Sequence, residues 1–325
     1  MTMFHLRYDL RCPPFGQASS ADLAAAALEQ CAWADARGFA SVVVSEHHGS
    51  PDGYLPSPLV MCGAIAARTK SVQIMLSALI APLHDPIRLA EDLAVVDILS
   101  NGRVIPVLAA GYVESEFAAF GRTLRDRGPA MDEIIPFLEK AWTGEPFEYR
   151  GRTVRVTPRP VRQPRPPLFM GGSTRVAARR AARFADYYVA STPEAQEMYR
   201  EECRKIGKPD PGPAAPSLGL FVHVAKDPDA AWRRIAPHAL HETNAYGAWL
   251  AGAGMASPYA VVSDADELRR SGRYLVLTPE ELALRARALG PMGSVVLHPL
   301  MGGLDPDLAW ESLRLIESEV MPALR

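Results

Sequence analysis

Eight short apolar runs, most of them unbroken, constrain the fold of this chain more than any other feature. In order they are FHLRYDL from Phe4, ASVVVSEH from Ala40, VQIMLSALI from Val72 and VIPVLAAG from Val104. The second half adds PLFMGG from Pro167, YYVAS from Tyr187, LGLFVHVA from Leu218 and GSVVLHP from Gly293. A strand with one wet face alternates apolar and polar residues, whereas a strand covered on both faces is apolar throughout, as in a parallel sheet. Helical patterns fill the gaps. SSADLAAAALEQCAWADARG opens on a serine cap and closes on Gly38, and DPIRLAEDLAVVDILSNG has proline in its first turn and Gly102 past its end. STRVAARRAARFAD follows a double glycine, and the chain closes with DPDLAWESLRLIESEVMPALR. Strand–helix repetition of this kind gives right-handed βαβ units. Eight of them in 325 residues fit a closed (β/α)8 TIM barrel of the α/β class better than two separate sheets.

Two stretches exceed a minimal barrel. Residues 112–166 contain PFEYRGRTVRVTPRPVRQPRPP, which reads as a hairpin and a proline-rich loop, and residues 225–291 carry at least two helices. Both are expected as insertions in a single domain spanning 1–325. The 29 prolines suit a fold with many short loops. A net charge of −2, with no basic run, leaves no electrostatic footprint for nucleic acid. No apolar segment has the length of a membrane span and no secretory leader is visible. Cys12, Cys31, Cys62 and Cys203 are scattered without a C-x-x-C pair, which fits reduced thiols in a cytoplasmic protein.

Active sites of such barrels lie where the strands end. The second run ends in Glu46, His47 and His48, ionisable groups costly to bury without partners, beside a glycine-proline loop. A single histidine at a strand end is more often a satisfied structural residue; three adjoining ionisable groups shift the balance toward function. Adjacent side chains of an extended strand face opposite ways, so one histidine should face the barrel mouth and the other pack structurally. Metal binding has no selecting pattern: H-E-x-x-H is absent and HALHE at 238–242 has the wrong order, although a barrel could still collect His5, His223 and His298 from separate strands. G-x-S-x-G, G-x-G-x-x-G and G-x-x-x-x-G-K-[ST] are also absent. FMGGST at 169–174 runs a strand through two glycines into hydroxyl residues at a helix start, where free N–H groups suit a phosphate. Gly-Gly-Ser is also an ordinary turn, and Arg175 in the first helical turn is either a helper or a solvated surface residue. Ser77 and Ala78, small residues near the end of the third run, fit barrel packing and would also let a flat ring lie close.

With these residues in place the chain resembles the bacterial luciferase-like family of flavin- or F420-dependent oxidoreductases. The resemblance rests on GFASVVVSEHH, IAARTKSVQIMLSALIAPLHDPIRLAEDLAVVDILSNGRV and GYVESEFAAFG, and it resumes at PLFMGGSTRVAARRAARFADYYVAS and MGGLDPDLAWESLRLIESEVMP. About two-thirds of the chain is covered, residues 225–291 least well. It implies a barrel binding its isoalloxazine ring at the C-terminal mouth, with His47, flanked by Glu46 and His48, as the active-site histidine. Ser77–Ala78 matches a non-prolyl cis peptide against the ring. Gly111, Tyr112 and Val113 match a pocket-lining backbone segment, and Gly171, Gly172, Ser173 and Thr174 match a phosphate loop. Luciferases carry an arginine before the glycine that ends the fourth strand; here it is Ala110, with Arg175 as the candidate substitute. The implied activity is monooxygenation of a small organic substrate with O2 and reduced FMN, bound or shuttled from a separate flavin reductase, in a homodimer. Hydride transfer with F420 is the alternative, which the paired histidines slightly disfavour. A catalytically silent flavin- or partner-binding barrel is the alternative of another class.

Overall fold

In the computed structural model the described residues are 2–253, 259 and 261–324. The first half runs β1 (Met3–Tyr8), α1 (Ser20–Ala36), β2 (Ser41–Val44), α2 (Pro58–Arg68), β3 (Gln73–Ile80), α3 (Pro86–Ser100) and β4 (Val104–Ala109). Next come α4 (Glu114–Ala119), α5 (Arg127–Ala141), the strands β5 (Phe147–Tyr149) and β6 (Arg152–Val154), then β7 (Phe169–Gly172), α6 (Arg175–Phe184), β8 (Tyr187–Ala190) and α7 (Pro193–Lys205). The last part comprises β9 (Ser217–Leu218), β10 (Phe221–Val224), α8 (Pro228–Gly252), α9 (Ala265–Arg270), β11 (Tyr274–Leu277), α10 (Pro279–Leu289), β12 (Ser294–Leu297) and α11 (Pro306–Leu315).

Local chemistry accounts for the helix ends. Ser19 and Asp22 form a capping box on α1, while Asp85 caps α3 ahead of Pro86 and Asn101 closes it in the left-handed region. Eight strands hydrogen-bond in the order β8-β7-β4-β3-β2-β1-β12-β9, every neighbouring pair parallel. The sheet curls, because the C-terminal ends of strands from β1 round to β8 line one common cavity. On β1, Phe4, Leu6 and Tyr8 are buried in the helix-facing core. Arg7, in register with Val43, points the other way, into the barrel.

The seventh strand position departs from an ideal barrel. LGLFVHVA does not run straight: β9 pairs with β12, the chain turns at Gly219–Leu220 where the Leu220 N–H donates to Arg273 O, and β10 pairs with β11. Among the described residues no ladder joins β8 to β9 or β10. The hairpin expected within 112–166 is β5–β6, which is antiparallel. No helix among the described residues is long and apolar enough to cross a membrane.

Candidate active site

One cavity of about 770 Å³ opens at the C-terminal ends of the strands. Its walls include Ser45 after β2, Ser77–Ala78 on β3, Gly111 and Tyr112 after β4, and the glycine loop after β7. The Ser77–Ala78 peptide is cis, and the β3–β4 register shifts between Ser77 and Leu79.

Glu46, His47 and His48 lie just beyond β2, which ends at Val44, so their orientation is set by loop hydrogen bonds and not by the pleat of a strand. His47 N–H donates to Leu55 O, and His48 N–H donates to Glu116 Oε1. The His47 ring is buried, with Nδ1 2.7 Å from Glu116 Oε1, and it stacks on Trp249 with centroids 4.3 Å apart. Its edges meet Tyr54 and Tyr112, and Nε2 lies 3.4 Å from the Tyr112 hydroxyl. A carboxylate on Nδ1 fixes the tautomer, leaving Nε2 to accept or donate a proton. His48 is absent from the cavity wall: it bonds Glu46 Oε1 at 3.0 Å and packs edge-on against Phe120.

Glu46 touches the cavity, but its oxygens are occupied. Burial would raise its pKa, yet His48, His84 and the Ile80 N–H together hold it down at about 2. A carboxylate tied to the Ile80 N–H and to two imidazoles braces the backbone two residues past Ala78. Glu46 thus touches the cavity with both oxygens engaged, and His48 lies off its wall.

The far end of the cavity is the glycine loop. Gly171, Gly172, Ser173 and Thr174 all line it. Thr174 caps α6 by accepting from Ala177 N–H, while the Ser173 hydroxyl has no partner among the described residues. The remaining first-turn N–H groups of α6 lack intrahelical acceptors. Gly172 has a packing reason of its own: a Cβ there would sit 2.6 Å from Ala177 Cβ. Two residues carried over for cofactor binding fall outside the wall. Val113 is buried away from the cavity, and Arg175 turns to Glu201 at 2.6 Å and to Glu202 at 3.3 Å, so it does not substitute for the arginine missing at Ala110. Arg125, Arg127 and Arg180 stand on this wall instead. Arg127 donates to Gly111 O at 2.8 Å, Arg180 is held by Asp132, and Arg125 has no side-chain partner among the described residues.

Behind the opposite wall lies a buried ionic network. Arg11 bridges Asp9 and Asp52, and His298 lies between Asp9 (3.5 Å) and Glu242 (3.2 Å). Burial opposes charge on His298, but Asp9 and Glu242 outweigh it and raise its pKa. Asp9, Glu242 and His298 have donor atoms close enough to share a cation, yet Arg7 and Arg11 flank them, so the positive charge is already supplied. His5 bonds Ser41, and burial drives the pKa of His223 down to about 3, with Arg234 adding to it. The three histidines do not converge on one site among the described contacts.

Sequence reasoning missed Glu116 and the arginines Arg125, Arg127 and Arg180; Tyr246 and Trp249 of α8 read equally well as pocket lining or as packing. Glu116 sits in the quoted GYVESEF, but only tertiary packing brings it to His47 across 69 residues. Arg125 and Arg127 stand in the run GRTLRDRG inside residues 112–166, which reads as an insertion, and Arg180 lies in the helical stretch STRVAARRAARFAD.

The sequence profile of the family described as luciferase-like monooxygenase matches residues 10–291, and the chain belongs to that family. Curated relatives include the oxygenase component of flavin-dependent trigonelline monooxygenase from Acinetobacter baylyi, 30% identical over 44% of this chain and 41% of that one. FMNH(2)-dependent dimethylsulfone monooxygenase from Pseudomonas putida is 25% identical over 71% and 69%. F420-dependent glucose-6-phosphate dehydrogenase from Amycolatopsis mediterranei is 28% identical over 54% and 56%. The chain spans less than half the length of the first relatives that it matches, 48% and 41%. In fold it is similar to monooxygenase RslO1 from Streptomyces bottropensis, with TM-score 0.78, 22% identity and full coverage of both chains. It is also similar to the oxygenating constituent of 3,6-diketocamphane monooxygenase from Pseudomonas putida in complex with FMN, with TM-score 0.75, 20% identity and coverage of 99% and 98%.

Proposed function

We propose that this chain is the oxygenase component of a two-component, FMN-dependent monooxygenase. The observation that carries this reading is a single cavity with the His47–Glu116 pair at one wall and an anion-suited glycine loop with arginines at another. The residues fit a flavin mononucleotide: Ser173, the first-turn N–H groups of α6 and Arg125, Arg127 and Arg180 suit its phosphate. Ser77–Ala78 and Ala109–Gly111 leave the wall between bare enough for a flat ring. Bound reduced flavin would supply the electrons that let O2 be split between substrate and water. Around it the chain does four things. The loop holds the phosphate, Glu116 fixes the His47 ring, His47 Nε2 holds or moves a proton at the mouth, and the aromatic side chains exclude water.

A separate reductase delivers the reduced FMN, and the barrel is one domain in which 112–166 and 225–291 supply walls of the site. The protein acts as a homodimer through the apolar outer face of α2 and α3, where Val60 and Leu99 are 76% and 55% exposed beside Val95 and Ile98. The F420 reading draws on the dehydrogenase relative and on the same cationic end, which suits a longer anionic tail equally well. Rapid mixing of protein-bound reduced FMN with air-saturated buffer tests the proposal. Reoxidation should depart from that of free reduced FMN and saturate with protein. A trace identical to that of the free flavin would favour F420 chemistry or a silent barrel.

A further inference from the structure

The flavin phosphate accounts for the cationic end of the cavity beside β7, but a separate charge lines the wall at β1, four strands away in sheet order. Asp9, Arg11, Asp52, Glu242, His298 and Arg7 make up the network behind that wall, and only Arg7 reaches the cavity. Its guanidinium donates to the Tyr246 hydroxyl at 2.8 Å and the Tyr259 hydroxyl at 3.1 Å. Burial pushes both phenols up, so these partners are neutral hydroxyls. Among the described residues the carboxylate paired with it is Glu242, whose Oε1 is 3.8 Å from Arg7 and 3.2 Å from His298 Nδ1, while its Oε2 accepts from the Tyr274 hydroxyl at 2.6 Å. Arg7 therefore presents a charge whose counter-ions lie behind it and whose hydrogen-bond partners among the described residues are two neutral phenols. The wall around it is apolar and aromatic, made by Tyr54, Tyr246, Tyr259 and Leu250.

A guanidinium held by two phenols in an aromatic wall matches a planar carboxylate attached to an apolar body. We infer that the substrate of this site is an organic acid, its carboxylate held by Arg7 and its apolar body lying against Tyr54, Tyr246 and Leu250. The inference rests on the monooxygenase reading only for the word substrate; the binding preference stands apart from it. If Arg7 served Glu242 alone as a counter-ion, a carboxylate in the cavity would gain nothing over a neutral isostere.

The test is a titration of the full chain, without flavin, by benzoate, phenylacetate and hexanoate, each paired with its primary amide and followed by ligand-observed NMR. Saturating inorganic phosphate occupies the glycine-loop end throughout. At least one acid should bind about ten-fold or more tightly than its amide, as expected for one charge-assisted pair. Arg7→Met should abolish that preference, leaving amide affinity and reduced-FMN affinity as in the wild type, and Arg7→Lys should restore part of it. Equal binding of every acid and its amide in the wild type would overturn the inference, and that comparison needs no variant to fold. Loss of reduced-FMN affinity in Arg7→Met with the acid preference intact would also overturn it, by assigning Arg7 to the flavin. A wild type that prefers acids but fails to bind reduced FMN would overturn the cofactor reading alone.

Discussion

At His47 the ring is held from two directions, by Glu116 on Nδ1 and by the face of Trp249. Glu116 is buried, and its other oxygen has no hydrogen-bond partner among the described residues. Such a carboxylate orients the imidazole and does not itself touch the cavity contents, so it is a positioning residue. Glu116→Gln should leave the Kd for reduced FMN within about two-fold and change the pH profile of flavin reoxidation. His47→Asn should remove that pH dependence altogether, consistent with the 10²–10⁴-fold typical of a general acid–base group. Stopped-flow traces across pH on both variants check this; a Gln variant with an unchanged profile would leave Glu116 a purely structural partner. The two neighbours of His47 teach a second lesson at this scale. The cluster Glu46–His47–His48 was legible as lying just past the second strand, but its contacts were not, because they are made with Ile80, His84, Glu116 and Phe120, residues distant in sequence. The pleat argument for separating the two histidines does not apply, since the strand ends at Val44.

Among the elements, the β7–α6 turn lines the cavity and is also constrained by packing. Gly171 and Gly172 were read together as a phosphate loop, yet a Cβ at Gly172 would collide with Ala177, whereas one at Gly171 would meet Val107 Cγ1 at an ordinary 3.4 Å. Gly172→Ala should therefore lower the melting temperature by several degrees through overpacking at the start of α6. Ser173→Asp should leave the melting temperature nearly unchanged and weaken FMN at least ten-fold, by setting a negative charge where the phosphate needs donors. Thermal scans and flavin titrations on the pair separate the effects; a Ser173→Asp protein binding FMN normally would move the phosphate off this loop. The helix α8 falls in the stretch 225–291, which reads as carrying at least two helices, with Tyr246 and Trp249 open to either pocket lining or packing. Its inward residues Tyr246, Trp249 and Leu250 repeat at helical spacing, a pattern that reads as core until the fold places it over the barrel mouth.

For the molecule as a whole, parallel strands made the architecture legible, because residues covered on both faces must be apolar. The interior charges were not legible, since Arg7, Asp9, Arg11, Glu242 and His298 come together only when both ends of the chain and α8 pack around β1. That network sets a pH limit. His298 has its pKa raised above the ordinary 6.5 by Asp9 and Glu242, against the effect of burial. Its stabilisation is therefore present in full below about pH 6.5 and is lost as pH rises through the raised value. Glu46 acts with the opposite sign. Held at about 2 against an ordinary 4.5, it stabilises the fold above pH 4.5 by roughly 3 kcal/mol, which is lost as pH falls through 2. Melting temperature followed from pH 6 to 9 should decline in the wild type, and His298→Gln should start lower and lie flatter. Parallel curves for the two proteins would show that His298 is not charged in the fold.

The central claim is that this cavity binds reduced FMN through the glycine loop and its arginines. Anaerobic equilibrium titration with reduced FMN and, in parallel, reduced F420 tests it most directly, on the wild type and on Arg125→Gln. The account predicts saturable binding of reduced FMN at one site per chain, weakened several-fold in Arg125→Gln, and tighter than the binding of reduced F420. Tighter binding of reduced F420, or FMN binding indifferent to Arg125, would contradict it.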